Sequence, residues 1–244
     1  MTPKQPFFVT SSRSYEKLIL NRFGIVHFYH CFTGTEPRYA IPDGCVDMVF
    51  CCDPNHPYAE ICGTVLSPQV VLSECNTTYF GVRFLPGYNP VLGSADIMAH
   101  LVNHRIPLDD LIQDRRMLEG IWGASDFRQQ IRVFMRSYMN IYRRVCPQEH
   151  QNLLVLHSSN LMIRSGGGIS VEQLAKIVRF QTAVSALNQN QHTGRSLTEI
   201  AADLGYFDQS HFVHDFKTYT GLTPKKYQML LRNDAFDEKL RIVQ

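Results

Sequence analysis

SLTEIAADLGYFDQSHFVHDFKTYTG, running from Ser196 to Gly221, has the pattern of two short helices around a tight turn. Ser196 is placed to cap the first helix. Glu199, three residues on, completes a Ser-x-x-Glu capping box, which satisfies backbone N–H groups that a helix start leaves unpaired. Leu197, Ile200, Ala201 and Leu204 recur at helical spacing along one face. Gly205 follows, where a left-handed residue lets the chain reverse. Asp208 is placed to cap a second helix with Phe212, Phe216 and Tyr219 as its apolar side, and Gly221 and Pro224 close it. Helix, glycine-containing turn, helix is the plan of the helix-turn-helix, whose second helix lies in the DNA major groove. It is equally the plan of a helical hairpin packed in a core.

The longer stretch AADLGYFDQSHFVHDFKTYTGLTPKKY, Ala201–Tyr227, separates the two readings. Through Ala201, Gly205, Phe207, Asp208, Ser210, Phe212, Phe216, Lys217, Gly221 and Pro224 it closely resembles the second helix-turn-helix and signature region of AraC-type (AraC/XylS family) transcriptional regulators. The resemblance implies double-stranded DNA as a partner, an N-terminal domain that senses a small-molecule effector, and a homodimer.

With Phe212 and Phe216 turned inward, Gln209, Ser210, Val213, His214 and Lys217 face outward, with His211 at the margin. Gln209 has the amide pair that reads adenine, Ser210 can bond several bases, Val213 suits a thymine methyl, and Lys217 suits a phosphate. His214 stands where the family often carries arginine, and a neutral imidazole supplies one donor and little charge. His211 has two readings, a DNA contact or a structural hydrogen bond beside the turn.

The rest of the chain is read against this segment. Its 244 residues suffice for two domains, and 44% hydrophobic with 19% charged residues is a globular balance. Phe7-Phe8-Val9 is too short for a signal peptide, and no apolar run reaches membrane length, so a cytoplasmic protein without membrane contact is expected. Seven cysteines without a CxxC pair fit a reducing compartment. Cys45, Cys51, Cys62 and Cys75 read as small packing residues, with a thiolate site as the alternative. The net charge is +2, and residues 148–244 hold ten Lys and Arg against nine Asp and Glu, or +1. That is weak for a DNA-binding half, although phosphate binding needs local rather than global charge.

Residues 1–94 read as a β domain. Strand-like runs at Gly24–Phe32, Cys45–Cys52, Ala59–Val65, Val70–Leu72 and Thr77–Phe84 are divided by Pro and Gly, as in a barrel or jelly roll. The segments IPDGCVDMVF and YFGVRFLPG resemble the sensor domain of one AraC-type subgroup, implying a cupin-like barrel. His27 and His30 fall on opposite strand faces and cannot ligate one ion, so neither metal nor cofactor is expected. Tyr29, Asp47 and Arg83 become candidate effector contacts if their strand faces turn inward. The alternative for Asp47 and Arg83 is a buried structural pair.

Residues 95–145 turn helical. Ile97, Met98, Leu101 and Val102 fit one helix, and Pro107–Leu111 suggests the start of another. Asp126–Arg144 carries Phe127, Ile131, Phe134, Met135, Tyr138, Met139 and Tyr142 at spacings of three and four, with Arg128, Arg132, Arg136 and Arg143 opposite. That apolar stripe fits a dimer contact, as the resemblance suggests, or packing on its own barrel. Pro147–Arg164 reads as a further helix.

SVEQLAK, Ser170–Lys176, resembles the opening of the family's first helix-turn-helix, but the chain runs directly into Ile177-Val178-Arg179-Phe180-Gln181. A recognition helix with its turn needs roughly 15–20 residues, and there is no room for one. Val171, Leu174, Val178, Ala183, Val184 and Leu187 instead fit one helix from about Ser170 to Asn190. A natural variant, an internal deletion or a missing segment would each produce this join.

The expected fold is α+β: a sensor and dimerisation domain over residues 1–146, with the barrel at about 1–94 and helices at about 95–145. A DNA-binding domain over 147–244 then has one complete helix-turn-helix, 196–221. Gly-x-Ser-x-Gly, phosphate-loop and zinc motifs are absent, so an enzyme is not expected. A one-component regulator is the leading reading. The other is an effector-binding or dimerising protein that has lost tight DNA binding with its first reader.

Overall fold

The structure is a computed structural model that describes residues 4–71, 74–91, 97–112, 114–145, 168–233 and 239–243. The helix expected at Pro147–Arg164 lies outside the described residues.

A short helix, α1 (Pro6–Thr10), leads into a long antiparallel hairpin, β1 (Ser12–Arg22) and β2 (Ile25–Thr33). The strands β3 (Arg38–Ala40), β4 (Val46–Cys51), β5 (Tyr58–Cys62), β6 (Gln69–Val71) and β7 (Thr78–Phe84) follow. Short edge strands β8 (Arg105–Pro107) and β9 (Leu240–Ile242) complete a seven-stranded sheet in the order β8-β5-β4-β7-β2-β1-β9, while β3 and β6 form a separate ribbon. The sheet is open rather than closed into a barrel, and it takes two strands from outside residues 1–94.

Side-chain alternation gives the sheet two different faces. Phe28, Phe50 and Phe80 share one: Phe50 of β4 pairs with Phe80 of β7, and Phe28 of β2 pairs with Val82, two residues further along β7. Over it lie α2 (Ile97–Leu101), α3 (Arg115–Trp122) and α4 (Phe127–Val145). Phe134 of α4 meets Phe28, Phe50 and Phe80 edge-on at ring distances of 5.9, 6.3 and 6.5 Å. The apolar stripe of Asp126–Arg144 therefore covers the sheet of its own chain and is not free for a dimer contact. Arg128, Arg132, Arg136 and Arg143 line its exposed side. At Pro107–Leu111 the chain makes β8 and one 3-10 turn, and the next helix starts at Arg115, capped by the Asp114 carboxylate.

The opposite sheet face carries Tyr15, His27, Tyr29, Cys31, Asp47 and Arg83, covered by α1 and the β3–β6 ribbon. His27 is on this face, while His30 packs on Phe127 at 5.7 Å on the other.

The C-terminal helices are α5 (Val171–Thr193), α6 (Leu197–Asp203), α7 (Gln209–Thr220) and α8 (Pro224–Asn233). A Ser170–Gln173 capping box starts α5, and Gly194 in the left-handed region (φ 65°) stops it. It passes through Lys176-Ile177 unbroken, so the join is a continuous helix. Phe180, Val184, Leu187, Ile200, Phe212, Phe216 and Tyr227 form a core between the four helices. Pro224 both ends the preceding turn and occupies the first position of α8, where its missing N–H costs nothing.

Candidate functional site

Between the second sheet face and the cover of α1 and the ribbon lies a cavity of about 330 Å³. Tyr29, Asp47 and Arg83 all line it. They come together because β2, β7 and β4 are neighbours, with His27 and Asp47 both opposite Arg83. Tyr29 lies flat over Gly81, where a Cβ would stand only 2.0 Å from the Tyr29 ring. Any side chain at that position would clash with the ring.

Arg83 is engaged by protein. Its Nε and Nη2 donate to the two Asp47 oxygens at 3.0 and 2.6 Å, and Nη1 donates to Asp43 at 2.7 Å. Burial opposes the Arg83 charge, but Asp47 and Asp43 outweigh it and lift its pKa well above the usual value. The structure therefore shows Asp47 and Arg83 as a buried pair that also forms cavity wall. Asp43, legible in the sequence only as a turn residue of Pro-Asp-Gly, extends the pair to a triad. Gln5 Nε2 donates to the same Asp43 oxygen at 2.8 Å and to the Ile41 carbonyl, tying the segment before α1 to the cavity floor.

Sequence reasoning also missed Arg38, Phe8 and Gln5. Arg38 projects from β3 into the cavity with Phe8 of α1 stacked on it at 4.6 Å and Tyr79 at 5.6 Å. A lone arginine in the strand-like Arg38-Tyr39-Ala40 was the only signal. Beside these charged side chains, His27, Tyr29, Cys45 and Cys62 are neutral. Burial, then Lys17 and Arg83, drives His27 well below its ordinary pKa, and burial with Asp47 and Tyr15 raises Tyr29. Burial pushes the Cys62 thiol up to about 12 and holds Cys45 well above its ordinary value, so neither is a thiolate near neutrality. No group of three or more His, Cys, Asp or Glu among the described residues could hold a metal ion.

A second cavity, of about 350 Å³, lies between the sheet and α3–α4 and is walled by Met48, Val91, Leu111, Met117 and Phe134. Its one carboxylate, Asp114, is already engaged in capping α3 and bonding Ser137. It offers no free polar group to orient a ligand.

At the other end, the local geometry matches the sequence pattern closely. Ser196 and Glu199 form the full capping box, Asp208 accepts from the His211 N–H at 2.7 Å, and Gly205 and Gly221 sit at φ 71° and 74°. On α7, Gln209, Ser210, His211, His214 and Lys217 are exposed and Val213 is half-buried. Gln209 Oε1 accepts from Thr198 at 2.7 Å, which orients its amide. His211 is drawn toward the helix junction: its ring stands edge-on to Tyr206 at 5.3 Å, and Nε2 lies 3.9 Å from Asp215. Asp215 in turn takes a 2.9 Å ion pair from Arg179 of α5, whose guanidinium stacks on Tyr206 at 4.5 Å. Phe207, in the turn, is 92% exposed.

Residues 159–229 match the profile of a helix-turn-helix domain family, and residues 24–107 match that of a domain of unknown function, DUF6597. No curated protein matches the chain by sequence. Among solved structures, an apo lysine-to-alanine variant of ToxT from Vibrio cholerae strain SCE256 is 12% identical, covering 86% of this chain and 99% of that one, with a TM-score of 0.38. Wild-type ToxT from that strain with an unsaturated fatty acid bound is 14% identical over 90% and 94%, TM-score 0.33. ToxT from strain O395 bound to (E)-4-(8-methylnaphthalen-1-yl)but-3-enoic acid is 13% identical over 90% and 100%, TM-score 0.33.

Proposed function

From the premise that this chain carries an AraC-type helix-turn-helix domain joined to an N-terminal strand domain, we propose that it is a one-component transcriptional regulator. In this reading residues 1–146 sense a small molecule in the cavity beside Arg83, and residues 147–244 bind duplex DNA through α7. The family points to a regulator rather than an enzyme. No described helix is long and apolar enough to cross a membrane, and we assign the protein to the cytoplasm, acting as a homodimer.

The observation that carries this reading is α1. Phe8 lines the cavity and stacks on Arg38, while its neighbour Phe7 lies in the core of the C-terminal helices, 6.0 Å from the Tyr227 ring. A ligand that moves Phe8 therefore acts on a segment shared with the DNA-binding unit. The output is a population shift between two arrangements of the halves. On DNA, Gln209, Ser210 and Val213 read base edges, His214 adds a single donor, and Lys217 meets phosphate. His211 borders the contact.

A second reading is favoured by the unbroken α5. A single reader on a domain of charge +1 leaves an effector-binding or dimerising protein without tight DNA binding. Fluorescence anisotropy of the full chain on its own promoter region, across a salt series, separates the two. Specific binding that drops on Gln209→Ala and His214→Ala supports the regulator. Binding that is non-specific at every salt concentration supports the alternative.

A further inference from the structure

The charges around the 330 Å³ cavity do not all find partners. Arg83 is held by Asp43 and Asp47, and Arg105 pairs with Glu60 at 3.3 Å. Arg38 has no carboxylate partner among the described residues. It is only 5% exposed, and its Nε is buried with no hydrogen-bond acceptor. Its Nη2 has the Cys31 sulfur at 3.8 Å, a weak acceptor. Phe8 and Tyr79 stack on its faces, which attracts the cation but leaves the N–H edge unmatched. A guanidinium cannot escape by losing its proton, and buried charges are otherwise paired.

We infer that the cavity takes a small organic monoanion, a carboxylate on a flat apolar body, whose oxygens pair with the N–H edge of Arg38. This rests on the sensor reading above and narrows it to a ligand class. A carboxylate matches the planar guanidinium fork. A cationic ligand lacks a free acid, since Asp43, Asp47 and Glu60 already hold arginines. A dianion would set its second charge near those same carboxylates. The rings of Phe8, Tyr29, Tyr58 and Tyr79 wall the remaining space, and the volume lies at the small end of the roughly 300–1,000 Å³ typical of ligand sites.

The test uses the full chain with matched probes: benzoate, benzamide and benzylamine, then 3-phenylpropanoate with its amide and amine, then hexanoate with its amide and amine. Thermal melts and calorimetry are expected to show binding by the acids, strongest for the aromatic ones, with the amides and amines about ten-fold or more weaker. Arg38→Gln is expected to remove the preference for acids while leaving the unliganded protein at least as stable, because an uncompensated cation has been removed. A merely structural Arg38 gives the opposite, a clear loss of stability. Amides or amines that bind as well as the acids, acids that bind Arg38→Gln undiminished, or no acid binding at all would each overturn the inference. Promoter anisotropy run in parallel keeps the two readings apart. If an amide or amine binds and changes DNA affinity, the sensor reading survives and the anion falls. If no probe binds while specific promoter binding persists, the anion falls and the regulator reading stands; if specific promoter binding is absent as well, both fall.

Discussion

Arg83 grips Asp47 with both ends of its guanidinium fork, Nε to Oδ1 at 3.0 Å and Nη2 to Oδ2 at 2.6 Å, while its third nitrogen holds Asp43. The pair joins adjacent strands β7 and β4 in a fully covered layer. Burying such charges is costly in itself, yet removing one partner strands the other. Arg83→Leu, which strands both Asp47 and Asp43, is expected to destabilise the protein by about 3–5 kcal/mol, read by urea denaturation, whereas replacing all three members of the triad together costs less than the single change. Equal losses for the single and triple replacements would contradict this.

His27 lies opposite Arg83 on β7, with Lys17 nearby on β1, and burial plus these two cations keeps it neutral in the fold. Its folded pKa is depressed below 6.5. Below the ordinary pKa the unfolded chain takes up a proton that the folded one refuses. Stability is therefore expected to fall as pH drops from about 6.5 toward 5, by up to about 1.4 kcal/mol per pH unit from this group. His27→Leu should flatten that part of the stability–pH curve. An unchanged slope in the variant would show that other groups set it.

Phe7 and Phe8 are adjacent on α1 yet belong to different cores. Phe7→Ala is expected to cost about 3–5 kcal/mol at its site and to loosen the helical unit selectively. Hydrogen exchange should quicken in α5 and α8 before it does in β2 and β7. Uniform quickening through the sheet would mean that Phe7 does not act at the junction.

On α7, Lys217→Ala should weaken DNA binding to all sequences alike and reduce the slope of log affinity against log salt by about 1. Gln209→Ala should cost about 1–3 kcal/mol on the preferred sequence only. A Lys217 effect confined to one sequence would assign it to base reading instead.

What the sequence revealed was whatever is local. The Ser196–Glu199 box, the Asp208 cap and Gly221 act within a few residues of themselves, so α6 and α7 could be read directly. The stripe of α4 was equally plain, but its destination was not, because spacing shows an apolar face and not what covers it. β1 went unread: Ser12–Arg22 mixes Arg13, Glu16, Lys17 and Arg22 with apolar residues, and only Ser12 and Tyr15 are fully buried. Tyr29, Asp47 and Arg83 were nominated from strand alternation, and adjacency of β2, β7 and β4 set them around one cavity. Arg38 could not be singled out in the same way. Its significance is a missing counter-charge, and that depends on where every neighbouring carboxylate goes once the chain has folded.

β9 bears on how the two halves can move. Leu240–Ile242 runs parallel to Tyr15–Lys17, the Val243 N–H donates to the Lys17 carbonyl at 2.8 Å, and Lys239 reaches the Thr10 carbonyl at 2.5 Å. On the near side, Gln181 of α5 donates to the Pro42 carbonyl at 2.7 Å and accepts from the Lys4 N–H at 2.7 Å. The helices are thus pinned to the sheet at two separated points, like a panel on a pivot at each edge. Such a body cannot swing away on a single tether: any large change in the pose of α7 relative to the sheet has to break the β9 pairing or the Gln181 bonds and the packing of Phe7 on Tyr227.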